Sequence, residues 1–134
     1  MRILVIDGQG GGMGRQLVQQ IKAAVPGAVV RAVGTNSAAA AAMRKAGADI
    51  SATGENAVMV GARWADVIVG PIGIVIADAL YGEITPNMAV AVGQSQARRI
   101  LIPVNHCDNL VAGVGDQPLG RLIDSAIALL SKEI

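Results

Sequence analysis

The feature that most limits what this chain can fold into lies at its start, in residues 3–14. An apolar run, Ile3, Leu4, Val5 and Ile6, stops at Asp7 and gives way to Gly8, Gly10, Gly11, Gly12 and Gly14. A helical pattern follows at once, with Leu17, Val18, Ile21 and Val25 on one face. Buried strand, glycine-rich turn and helix start, in that order, present unpaired backbone N–H groups and the positive end of a helix to an anion. Glycine serves such a turn in two ways: it accepts positive φ, and it has no Cβ to hold a ligand off the backbone. A tight strand-to-helix connection alone does not need five glycines. The spacing departs from G-x-G-x-x-G, because Met13 stands where the third glycine is required. The stretch therefore points to phosphate or nucleotide binding without selecting one nucleotide.

The remaining chain alternates strand and helix. Residues 28–33 read as a second strand, and the alanine-rich stretch 38–46 as a helix that stops at Gly47. Residues 49–52 read as a third strand and 66–69 as a fourth. Between them a helix to about Arg63 opens with Thr53 as its cap. Residues 74–81 read as a two-turn helix ending at Gly82, and Thr85-Pro86 starts another that runs to about Gln96. Residues 100–104 make a fifth strand and 110–114 a sixth, which turns straight back and lies antiparallel. Leu119, Leu122, Ile123, Ala126, Ile127 and Leu130 mark a closing amphipathic helix. Nearly unbroken apolar strands alternating with helices predict an α/β fold in one domain. It is a doubly wound, Rossmann-like, mostly parallel sheet of about six strands, the last antiparallel, with helices on both faces.

Composition narrows the function. The net charge is +1, there is no basic run, and one Trp and one Tyr are the only aromatics, which argues against nucleic-acid binding. One cysteine rules out an internal disulfide and fits a reducing, cytoplasmic setting. No apolar stretch reaches the roughly 18 residues of a membrane span. Hydrophobic residues are 52% of the chain and charged residues 16%, so aliphatic surface beyond one core is expected to be covered in a homodimer.

In such a fold the loops after the strands share the carboxyl edge of the sheet, where ligands bind. The candidate site is therefore Gly8, Gln9, Gly10, Gly11, Gly12, Met13 and Gly14, with Thr35, Asn36, Thr53, Gly70, Pro71 and Ile72 from the later loops. The expected ligand is a small phosphorylated molecule, a nucleotide or dinucleotide. Phosphate would lie on the glycine loop, sugar on Thr35 and Asn36, and residues 70–73 would form the floor. NAD and NADP stay among the candidates, although no acid stands near 34–36 for the ribose hydroxyls and no Arg for a 2′-phosphate.

Catalytic machinery is sparse. Gly8, Gly12 and Gly14 match the G-x-x-x-G-x-G spacing of short-chain dehydrogenases, but Thr85 stands where their Tyr-x-x-x-Lys pair, counted from Tyr81, needs lysine. His106 and Cys107 are the most reactive-looking pair, although a lone cysteine is more often a packed hydrophobe. Asp7 either binds ligand or braces the turn. Glu55 and Glu83 are candidate bases but read better as a first-turn acid and a loop charge, and Asp78 reads as a paired or rim residue of its helix. The expectation is a binding or sensing module; the alternative is a small NAD(P)-dependent oxidoreductase or transferase completed by a second subunit.

Taken together, residues 6–14, Gly-Thr-Asn at 34–36, Ala-Thr-Gly-Glu-Asn-Ala at 52–57, Gly-Pro-Ile-Gly-Ile at 70–74 and Gly-Glu-Ile-Thr-Pro at 82–86 form a distinctive set. In that order they resemble a family of short bacterial proteins, mainly from Firmicutes, known only as a domain of unknown function. The resemblance spans essentially the whole chain. It implies a Rossmann-like cytoplasmic protein and brings no activity or catalytic residues with it.

Overall fold

A computed structural model describes residues 1–104 and 109–134. Five strands, β1 (Arg2–Asp7), β2 (Val29–Gly34), β3 (Ile50–Thr53), β4 (Val67–Pro71) and β5 (Arg98–Ile102), form one sheet in the order β3-β2-β1-β4-β5, every neighbouring pair parallel. The helices are α1 (Gly12–Ala24), α2 (Ser37–Lys45), α3 (Glu55–Trp64), α4 (Pro86–Gly93) and α5 (Leu119–Ser131). Strand order reverses between β1 and β4, so the loops leaving these two strands diverge and open a crevice at the carboxyl edge.

β1 lies at the centre because it can be buried on both faces. Ile3 and Val5 enter one cluster with Leu17, Val18, Ile21 and Ile123, while Leu4 and Ile6 enter another with Val58, Ile68, Ile74 and Ile84. Each of the four β1 side chains is fully buried, which contributes roughly 1.5–3 kcal/mol apiece. α1 and α5 cover the first face, α3 and α4 the second. No helix among the described residues is long and apolar enough to cross a membrane.

Three expectations need correction. The sheet has five strands rather than six, all parallel, and residues 110–114 form no strand. Gly113 sits there at φ 80°, the N–H of Val114 donates back to Val111, and Leu110 is 94% exposed. A five-residue apolar run broken by a left-handed glycine cannot hold a straight register against β5. Residues 74–81 are likewise not a two-turn helix: a 3₁₀ turn, Ile72–Val75, leads into a tight reversal closed by Asp78 N–H to Ile84 O (2.7 Å) and Ile84 N–H to Ala79 O (3.1 Å). Helical spacing from Ile74 would have put Asp78 and Tyr81 on the face meant for the core. The observed turn instead buries Ile74, Ala79, Leu80 and Ile84 and leaves Asp78 and Tyr81 outside. Finally, Gly54 rather than Thr53 takes the N-cap position of α3, because β3 extends through Thr53. Thr85 does cap α4, accepting from Met88 N–H at 3.1 Å, with Pro86 in the first turn.

Candidate functional site

The glycine loop leaves β1 at Asp7, and Asp7 braces it from beneath. The residue is 6% exposed; one carboxylate oxygen accepts from Gly8 N–H at 2.8 Å and the other from Gly14 N–H at 2.6 Å. Burial pushes its pKa up; the bonds from Gly14 and Gly8 pull it down, and the charge of Glu83 raises it further. Of the two roles open to Asp7, the geometry displays bracing.

The five glycines divide into two groups. A Cβ on Gly8 would lie 2.6 Å from Thr35 Oγ1, and one on Gly14 at 2.5 Å from Met43 Sδ. Gly11, at φ 74°, presses on the backbone of Ala39. Packing accounts for these three. Around Gly10 and Gly12 a Cβ would meet nothing within 4 Å, and neither holds a left-handed φ.

The donors sort in a similar way. Gly8 and Gly14 N–H are spent on Asp7, Gln9 N–H on Glu83 (3.0 Å), and Gly11 N–H on Gly8 O (2.9 Å). Gly10, Gly12 and Met13 keep N–H groups with no acceptor among the described residues. Gly12 and Met13 open α1, where helix geometry leaves the first N–H groups unpaired and positive. These three residues border a cavity of about 360 Å³, which Asp7, Gly8, Gln9, Gly11, Pro71, Leu80, Val104, Gln117 and Leu119 also line. Its wall is mixed: backbone donors on one side, aliphatic side chains on the other.

Glu83 is the residue that sequence reasoning ranked too low. It arrives from the β4–α4 connection and lays one oxygen, Oε1, among three donors: Thr35 Oγ1–H (2.6 Å), Asn36 Nδ2–H (2.8 Å) and Gln9 N–H. The Thr35 hydroxyl, with Gln9 and Asn36 adding to it, holds the Glu83 carboxyl below its ordinary value. Asn36 also donates to Gln9 O (2.8 Å) and caps α2 by accepting from Ala39 N–H (2.8 Å). Thr35 and Asn36 are therefore engaged with Glu83. The one sequence signal for this was the position of Glu83 directly after Gly82, in a turn.

The carboxyl edge thus gathers residues 8–13 and Pro71 around one cavity. Gly14 is packed beneath the loop, and Gly70 approaches Ile6 O so closely that a Cβ would lie 2.5 Å from it. Thr53 and Ile72 do not line the cavity. Leu80, Val104, Gln117 and Leu119 do; of these the sequence marks Leu119 alone, as a core position of the closing helix. Glu55 accepts a short hydrogen bond from Thr85 Oγ1, which ties the start of α3 to that of α4. His106 and Cys107 lie outside the described residues.

Among solved structures, the chain is similar to a dodecameric FMN-dependent UbiX-like decarboxylase from Escherichia coli O157:H7. The TM-score is 0.50 at 19% identity, over 98% of this chain and 76% of that one. A likeness at that identity concerns the fold. No curated protein matches the sequence. A family model, described as Domain of unknown function (DUF3842), matches residues 2–134, nearly the whole chain. The protein belongs to the DUF3842 family.

Proposed function

We propose that this protein binds a phosphorylated, nucleotide-type ligand at the carboxyl edge, with flavin mononucleotide the first candidate. The phosphate lies on the N–H groups of Gly10, Gly12 and Met13, and the apolar portion rests against Pro71, Leu80, Val104 and Leu119. The observation that carries this reading is the coincidence of unspent donors with uncrowded glycines on one cavity wall. A cavity of about 360 Å³ is at the small end of ligand pockets, suiting a mononucleotide better than a dinucleotide. The engagement of Thr35 and Asn36 with Glu83 also weighs against an adenosine ribose at the end of β2. The FMN-dependent enzyme that shares the fold makes flavin the natural place to begin.

The reading is of a binding module acting in the cytoplasm. A second reading, an enzyme completed by another subunit, draws on Leu110 and Val114, apolar and exposed in the segment whose Gln117 reaches the cavity. One thermal-shift series tests both, comparing flavin mononucleotide, riboflavin, NAD, NADP, ATP and inorganic phosphate, each at two protein concentrations. Flavin mononucleotide at about a hundred times its Kd is expected to stabilise by roughly 2.7 kcal/mol. Riboflavin should do less, and Gly12→Asp should abolish the shift. No shift with any phosphorylated compound would sink the proposal. An affinity that rises with protein concentration favours the subunit-completed site.

A further inference from the structure

The Glu83 contact looks like a binding site already occupied. Three donors from two loops, Gln9 N–H, Thr35 Oγ1–H and Asn36 Nδ2–H, converge within 2.6–3.0 Å of one carboxylate oxygen. Convergent donors around a single anionic oxygen are how proteins hold phosphates and carboxylates. Here the anion is the protein's own, and Gln9, one of its three holders, also lines the cavity.

Electrostatics works against Glu83 staying once a ligand arrives. The Asp7 carboxylate already braces the same loop through the N–H groups of Gly8 and Gly14. A phosphate on Gly10, Gly12 and Met13 would add a third anion to the same loop, and like charges at such distances repel strongly away from bulk water. Glu83 is the member able to leave. It follows directly on a turn that holds Leu80, Tyr81 and Gly82 at φ 56°, 56° and 88°, with Tyr81 97% exposed. Non-glycine residues at positive φ persist only while their surroundings hold them there.

We propose that Glu83 is an internal stand-in for an oxyanion of the ligand. The three donors form a second oxyanion subsite, for a phosphate or carboxylate group, and residues 81–83, between the buried Leu80 and Ile84, act as a strap that yields it when ligand binds. This rests on the carboxyl edge being the ligand site, but the subsite is distinct from the Gly10–Met13 cradle and can be tested apart from it. The experiment titrates Glu83→Ala and the unaltered protein with inorganic phosphate and with formate, following thermal stability. The variant is expected to bind at least tenfold more tightly, because the subsite is vacated. Adding Thr35→Ala should erase that gain, while adding Gly12→Asp should leave most of it.

A folded Glu83→Ala that binds neither anion better overturns the proposal. So does a gain that Gly12→Asp removes and Thr35→Ala does not, an outcome that would leave the cradle reading intact. If Glu83→Ala does not fold, limited proteolysis of the unaltered protein decides. Saturating phosphate is expected to speed cleavage within residues 81–83 by several-fold, and unchanged or slower cleavage there overturns the strap.

Discussion

The loops that leave β1 and β4 flank the same crevice, and both need left-handed backbone, yet they obtain it differently. After β1 the sharpest demand falls on a glycine: Gly11 takes φ 74° where a side chain would strike α2. After β4 it falls on Asp78, Leu80 and Tyr81 before a glycine is reached at position 82. In the first loop the residue under the sharpest demand accepts that conformation freely, and Gln9, at φ 51°, is the one non-glycine exception. In the second it is imposed from outside, by burial of Leu80 and Ile84 and by the bonds Glu83 makes across the crevice. Glycine takes a left-handed conformation without strain, whereas an imposed conformation lasts only as long as its contacts.

Opposite substitutions in the two loops should therefore have opposite signs. The largest effect is expected from Gly11→Ala, whose Cβ would lie 2.8 Å from Ala39 Cα at a positive φ. We expect a loss of about 3 kcal/mol or more in urea unfolding. A loss under about 1 kcal/mol would mean that the first loop adapts as the second does. Tyr81→Gly should instead stabilise, by about 0.5–1 kcal/mol, since the left-handed strain goes and an almost fully exposed ring is all that is lost. A destabilised Tyr81→Gly would show that the ring has a contact worth more than the strain.

The smallest effect is one of pH, and here too the two loops oppose each other. The Glu83 pKa is depressed, so its contribution is present above the ordinary value of 4.5 and is lost as pH falls through its lower folded value. The Asp7 pKa is raised, so the folded state holds its proton longer than the unfolded chain. Asp7 therefore takes stability away as pH rises from 3.8 through its folded value. Unfolding midpoints between about pH 3 and 6 should show a shallower acid loss in Glu83→Gln than in the unaltered protein. Identical acid limbs would mean that Glu83 makes no bond of consequence in solution.

Much of the fold is legible in the sequence. The apolar runs of β1 and β4 read as buried strands because a residue buried on both faces must be apolar at every position. Asn36 and Thr85 sat where helix starts need side-chain oxygens, and both cap. The third helix start misled, because Thr53 is equally good at ending a strand and the glycine after it took the cap. The stretches 74–81 and 110–114 misled for a related reason. Short apolar runs have no period long enough to separate helix, strand and buried turn, and only the surfaces they pack against decide.

By itself, then, the sequence determined the local chemistry: a strand ending in an acid, a loop with few side chains, and a helix that begins with unpaired N–H groups. Those follow from residues adjacent in the chain. Of the N–H groups that are taken, those of Gly8, Gly11 and Gly14 go to acceptors within the same loop, and only that of Gln9 was decided by tertiary structure. Asp7 removes two, and Glu83, 74 residues beyond Gln9, removes a third. No local pattern encodes that last contact, which exists because β4 pairs beside β1 and brings its following turn over the glycine loop.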